Sequence, residues 1–177
     1  AFEDPSWSDL SGSDRATFLY KMSAIIKRDA KKIAAIESLD NGKPYEAESL
    51  CGDLVEAADV FRYYAGWADK HTGQFLGTQV FGKSKICYVD PVPLGVVAGI
   101  VPWNFPFDMM AWKIAPALAT GNTLVMKSSE ITPLSALLYG KIALEAGLPK
   151  GVLNILSGYG KDVGSALSAH PKVAKIA

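Results

Sequence analysis

The sequence predicts an α/β fold, in which a parallel sheet of βαβ units is preceded by a helical segment and carries a protruding β-hairpin. Three observations predict it. From residue 94 onward, short β-branched runs alternate with helix-length segments, the pattern of parallel strands joined by right-handed crossovers. Before residue 73, apolar residues recur at three- and four-residue spacing, the period of amphipathic helices. Between the two, Gly73, Gly77 and Gly82 punctuate a stretch closed by Pro91 and Pro93, with residues 85–89 extended. It reads as a hairpin or a pair of edge strands. The boundaries that follow are 1–72 for the helical part, 73–93 for the hairpin and 94–177 for the alternating part.

In the helical part, Ser13 is placed to cap a helix beginning near Asp14, whose carboxylate suits the positive end. Phe18, Met22, Ile25 and Ile26 form its apolar stripe. A second helix is expected over 29–40, with Ile33, Ile36 and Leu39 inward. Asn41-Gly42 is a C-cap signal, and Pro44 delays resumption. A third helix is expected over 45–70, with Leu50, Leu54, Ala57, Phe61, Tyr64 and Ala68 on one face. Its aromatics (Phe61, Tyr63, Tyr64 and Trp67) read as core packing rather than as a ligand cage.

The alternating part is Rossmann-like. Its strands are expected at 96–101, 123–127, 152–156 and from 173 onward. Its helices are expected at 107–120, 133–146 and 161–169, with Pro116 kinking or splitting the first. The run Gly99-Ile100-Val101-Pro102-Trp103-Asn104-Phe105-Pro106 organises the whole. Pro102 cannot donate to a ladder and ends the strand. Pro106 opens the helix, whose first turn tolerates a missing N–H. Asn104 is therefore presented in the turn at the carboxyl end of a strand, where open α/β sheets bind ligands.

The 177 residues suffice for a sizeable core. Lysine plus arginine (18) equals aspartate plus glutamate (18), so no field favours nucleic acid or an anionic membrane. No apolar run reaches the roughly 18 residues that span a bilayer. Cys51 and Cys87 lie outside any C-x-x-C pairing, and His71 and His170 are scattered, so no metal site is expected. Two lone thiols fit a reducing compartment. The chain lacks an initial methionine and reads as if it opened mid-element, so a missing signal peptide carries little weight.

In a parallel sheet three strand ends point the same way. They carry Asn104, the run Lys127-Ser128-Ser129-Glu130 and the run Gly158-Tyr159-Gly160-Lys161. Each has a plain structural reading: Asn104 as a helix cap, Lys127 and Glu130 as a surface ion pair, and the glycines as an ordinary turn. Together, a basic side chain, a carboxylate and a glycine turn at one sheet edge suit the ribose and phosphates of a nucleotide. The G-x-G-x-x-G fingerprint itself is absent, because Gly158, Gly160 and Gly164 have a different spacing.

Five runs carry a family resemblance: Pro102-Trp103-Asn104-Phe105-Pro106, Ala115-Pro116-Ala117-Leu118-Ala119-Thr120-Gly121-Asn122, Lys127-x-x-Glu130-x-Thr132-Pro133, Leu39-Asp40-Asn41-Gly42-Lys43-Pro44 and Tyr63-Tyr64-Ala65-Gly66-Trp67-Ala68. In this order they closely resemble the NAD(P)-dependent aldehyde dehydrogenase superfamily, over essentially the whole chain and nearest its liver, retinal and betaine aldehyde branch.

The resemblance implies NAD-dependent oxidation of an aldehyde to a carboxylic acid. It implies that Asn104 is the oxyanion asparagine, which donates its amide to developing negative charge. It implies that Lys127 contacts the adenosine ribose and that Glu130 accepts from its 2′-hydroxyl. Ile100, Val101, Pro102 and Trp103 would line the cofactor groove, Gly160 would lie beside the adenine, and residues 80–91 would be the hairpin through which subunits form a homodimer or homotetramer. Such enzymes work in the cytoplasm or the mitochondrial matrix.

The family's nucleophilic cysteine and general-base glutamate match no residue of this chain, and neither Cys51 nor Cys87 has the nucleophile's surroundings. The chain is thus expected to be an incomplete, cofactor-binding portion of the enzyme. The alternatives are a non-catalytic nucleotide-binding or assembly module of the same descent, or a structural protein recruited from the family.

Overall fold

The computed structural model describes residues 1–80 and 83–177, and the side chains of all of these except 78–80 and 83–84. Gly82, one of the three punctuating glycines, lies outside the described residues. Helix α1 (Pro5–Ser8) starts at Asp4, whose side chain accepts from the Ser6 N–H. Helix α2 (Gly12–Arg28) starts two residues earlier than expected: its cap is Ser11, not Ser13. Ser11 Oγ accepts from the Asp14 N–H, and the Asp14 carboxylate accepts in return from the Ser11 N–H. This reciprocal capping box satisfies two donors at once.

Helix α3 (Ala30–Asn41) ends as its sequence requires, with Gly42 left-handed at φ 83°. Its buried face differs from the expected stripe. Ile33, Ala34 and Glu37 are inside, whereas Leu39 is 82% exposed. Ile33 and Glu37 are one turn apart and share a face. A carboxylate is rarely assigned to the core, and that rotated the expected stripe.

The expected third helix begins as a π-helical stretch (Tyr45–Asp53) and continues as α4 (Leu54–Trp67). Of its aromatics only Phe61 is fully buried; Tyr63 and Trp67 are exposed and form a surface ladder with Tyr64.

Strands β1 (Gln74–Val80) and β2 (Lys83–Val89) pair antiparallel as a separate two-stranded ribbon. The second sheet contains β3 (Val96–Ile100), β4 (Thr123–Lys127), β5 (Leu153–Leu156) and β6 (Lys175–Ile176), in the order β5-β4-β3-β6 and all parallel. The crossovers are α5 (Pro106–Ala119), α6 (Leu134–Ala146), and a π-helical turn (Gly160–Gly164) followed by α7 (Ser165–Ala169). Pro116 does not split α5. It lies in the last turn, so only one ladder bond is forgone, while Ile114, Ala115 and Leu118 hold the helix in the core.

One core joins the two parts. Leu19, Met22, Ile26 and Phe61 from the helical segment pack with Phe107, Met110, Ile114 and Tyr139. Polar ties cross the same boundary: Trp7 Nε1 donates to the Gly121 carbonyl at 3.0 Å, and Arg15 Nε to the Ala119 carbonyl at 3.1 Å. Among the described residues no helix is long and apolar enough to cross a membrane.

Candidate active site at the strand ends

The strand order reverses at β3: β4 and β5 lie to one side of it and β6 to the other. In open α/β sheets the ligand crevice lies outside the carboxyl ends of the strands at such a switch point. The register brings the neighbouring strand ends level, because Ile100 pairs with Lys127 and Lys127 with Leu156. The three loops that follow therefore rise from one edge.

The first loop holds Asn104. The ladder runs one bond past β3, from the Val101 N–H to the Lys127 carbonyl at 3.1 Å. Val101 is buried; Pro102, Trp103, Asn104 and Phe105 are exposed. Asn104 does not cap α5: the cap position is Phe105, whose own side chain makes no cap bond, and Pro106 occupies the first helical position. The capping alternative for Asn104 thus falls away.

The second loop holds Lys127 and Glu130, and their pairing is no surface ion pair. Lys127 is 2% exposed, and its Nζ donates to the Ser128 carbonyl at 2.8 Å and to Glu130 Oε2 at 3.2 Å. Glu130 itself is exposed. Its own backbone N–H, then the Lys127 ammonium and the Gly160 backbone, hold its carboxyl below the usual range. It is an exposed, ionised acceptor.

In the third loop Gly158 has φ 148°, and a Cβ there would stand 2.5 Å from Val163 Cγ2. Glycine is therefore required for the turn itself. A Cβ on Gly160 would meet nothing within 4 Å, whereas one on Gly164 would lie 3.9 Å from both Ile100 Cδ1 and Lys127 Cδ. The π-helical turn thus sits across the ends of β3 and β4, with open space at Gly160.

The chain matches the model of the aldehyde dehydrogenase family over residues 1–177. The chain belongs to the aldehyde dehydrogenase family. It is 45% identical over 177 residues to an aldehyde dehydrogenase of Emericella nidulans, covering 100% of this chain and 34% of that protein. It is 47% identical over 171 residues to the mitochondrial aldehyde dehydrogenase of Sus scrofa, covering 97% and 32%. Among solved structures, the NAD+ complex of an aldehyde dehydrogenase from Bacillus cereus superposes with a TM-score of 0.93 at 41% identity, covering 99% of this chain and 35% of that one. The chain spans about a third of the length of these relatives.

In this aldehyde dehydrogenase chain the thiols lie on elements other than the three strand-end loops. Cys51 is exposed in the π-helical stretch, and Cys87 is half-buried in β2. Among the described residues no group of three or more His, Cys, Asp or Glu is placed to hold a metal ion.

Sequence reasoning missed a buried polar layer beneath the Asn104 loop. Glu37, Asp53 and Asp108 are all buried, and Lys43 pairs with Asp53 at 2.5 Å. Burial, with Glu56 and Asp53 nearby, pushes the Asp108 carboxyl up to about 7. Burial also raises the Glu37 carboxyl, against the Ser135 hydroxyl and the Phe107 N–H. The one available signal was the i, i+4 spacing of Glu37 from Ile33.

Proposed function

We propose that this chain is the cofactor-binding portion of an NAD-dependent aldehyde dehydrogenase that oxidises an aldehyde to a carboxylic acid. The observation that carries the proposal is the level register of Ile100, Lys127 and Leu156, which sets Asn104, Lys127 with Glu130, and Gly160 at one sheet edge. These residues fit the adenosine half of NAD. Glu130 is an exposed, ionised acceptor suited to a ribose 2′-hydroxyl, and the buried Lys127 ammonium steadies it. In this reading Ile100, Val101, Pro102 and Trp103 are one wall of the cofactor groove, with the Val101 side chain buried behind it, and the open space at Gly160 suits the adenine. When bound, NAD accepts a hydride from the substrate carbon. Asn104 donates its amide N–H to the oxygen of the aldehyde carbon as negative charge develops there, a pre-organised electrostatic role. The nucleophile and general base belong to the remainder of the enzyme.

The cofactor is NAD rather than NADP. A 2′-phosphate would meet the Glu130 carboxylate, and two like charges in close contact oppose binding. The test is steady-state kinetics of the complete enzyme with both cofactors. Higher efficiency with NAD is expected; equal or higher efficiency with NADP overturns the assignment.

The hairpin at residues 80–91 serves homodimer or homotetramer formation. Ile86, Tyr88 and Val89 are exposed on its second strand, an edge that native proteins cover or pair. Replacing Ile86 by Glu should shift the complete enzyme to smaller species in sedimentation, and an unchanged profile counts against the contact. The cytoplasm or mitochondrial matrix is the compartment that such a thiol-bearing oxidoreductase suits.

A further inference from the structure

We propose that Glu37, Asn41 and Lys43, at and just beyond the carboxyl end of α3, form a clamp that holds the Asn104 loop in place and act as positioning residues for its oxyanion role. The inference rests on the proposed function.

The loop needs such a device. Regular pairing ends at the Val101 N–H, and no side chain within the loop caps α5. Between them, the Phe105 carbonyl accepts the first helical bond, from the Met109 N–H at 2.9 Å, and residues 102–104 belong to neither strand nor helix. An oxyanion donor works only if its geometry is set before charge develops.

Alternate residues of the loop are gripped from α3. Asn41 Nδ2 donates to the Trp103 carbonyl at 2.5 Å. The Lys43 ammonium lies 3.9 Å from the centre of the Phe105 ring, a cation–π contact. Lys43 is itself fixed by Asp53 at 2.5 Å, with both side chains largely buried. Glu37 Oε1 accepts from the Phe107 N–H at 3.5 Å, serving α5 as a long cap supplied from another helix. From the far side, the Tyr139 hydroxyl donates to the Phe107 carbonyl at 3.0 Å and its ring stacks on Phe107 at 4.3 Å. Residues 103, 105 and 107 are held, and Asn104 between them stays exposed.

The same segment also reaches the second loop of the site. Asp40 Oδ2 accepts from the Leu134 N–H at 2.7 Å, and Thr132 Oγ1 donates to the Trp103 carbonyl at 3.5 Å. Gly42, left-handed at φ 83°, makes the turn that presents both Asn41 and Lys43 to the Asn104 loop. The α3 end thus ties the oxyanion loop to the loop that leads from Glu130 into α6.

The test is a double-mutant cycle on the complete enzyme, read by pre-steady-state acylation rate, NAD affinity and melting temperature. Asn41→Ala should slow acylation about tenfold, since small misplacements of reacting groups are costly, with NAD affinity and melting temperature nearly unchanged. Asn41→Asp keeps the shape but cannot donate to a carbonyl, and should slow acylation as much. In an Asn104→Ala background, Asn41→Ala should cost nothing further, because the clamp acts only through Asn104. Lys43→Arg, which keeps the cation over Phe105 and the Asp53 pair, should retain most activity. Multiplicative losses in the cycle, or an unchanged rate in Asn41→Ala and Asn41→Asp, overturn the clamp while leaving the role of Asn104 standing. An unchanged rate in Asn104→Ala alone overturns the role of Asn104 and the clamp with it.

Discussion

Glu130 and Asp108 lie near the same end of the sheet, one on the loop after β4 and the other in the first turn of α5, yet their carboxyls are shifted in opposite directions. Glu130 is exposed and is held below the usual range by its own backbone N–H and by Lys127. Asp108 is buried, has an oxygen without a hydrogen-bond partner, and is pushed up to about 7 by burial beside Glu56 and Asp53. The outer layer exposes a fixed charge at Glu130 and the amide of Asn104. The inner layer carries the electrostatic cost of a buried carboxyl. Residue type alone distinguishes neither role; solvent access and the nearest partners do.

The sharpest way to separate the layers is to remove the outer donor. Asn104→Ala in the complete enzyme should lower the acylation rate on the order of 10²–10³-fold, the usual consequence of losing one oxyanion donor. NAD affinity should stay nearly constant, because the role proposed for Asn104 is at the substrate carbonyl and not at the cofactor. Pre-steady-state kinetics and NAD titration read the two quantities independently. A parallel loss of both would place Asn104 in the cofactor groove instead.

A change in the inner layer should show in stability and its pH dependence. The folded Asp108 carboxyl titrates near 7, above its ordinary 3.8, so between these values the folded state binds a proton that the unfolded state lacks. Stability must then fall as pH rises from about 4 to about 7, with the penalty complete above that. Its size is roughly 4 kcal/mol, at 1.36 kcal/mol per pKa unit between 3.8 and about 7. Asp108→Asn should therefore melt higher than the parent at pH 8, and the advantage should shrink towards pH 4. An advantage that does not change with pH would mean that the carboxyl is not the strained group.

The smallest expected effect lies on the exposed carboxylate. Glu130→Thr should relax the preference for NAD over NADP by about tenfold, since one like-charge contact is removed in a solvated setting. The ratio of efficiencies with the two cofactors measures it. A ratio that stays constant would assign the discrimination elsewhere.

Much of this end of the molecule was legible in the chain. Pro102 and Pro106 bracket Asn104 in sequence as they do in space, because a missing N–H ends one ladder and opens the other element locally. The Asn41-Gly42 stop was readable for the same reason. What it does beyond stopping a helix was not: Asn41 reaches Trp103, 62 residues on, and no local pattern announces such a contact. The core aromatics show the same limit. Phe61 and Trp67 share one helix, and only the arrival of Tyr139 and Phe107 decides which of them is covered.

By itself, the amino-acid sequence determined the alternation of strands and helices, the stops at Pro102 and Gly42, and the residue types gathered at the strand ends. These follow from backbone geometry and from apolar periodicity, which act over a few residues. Only the tertiary structure decided that Lys127 is buried beside an exposed Glu130, that Glu37 rather than Leu39 faces the core, and that the end of α3 grips the Asn104 loop. Burial and long-range polar contacts depend on which distant segments meet, and that is settled by the summed packing of the whole core rather than by any one stretch of the chain.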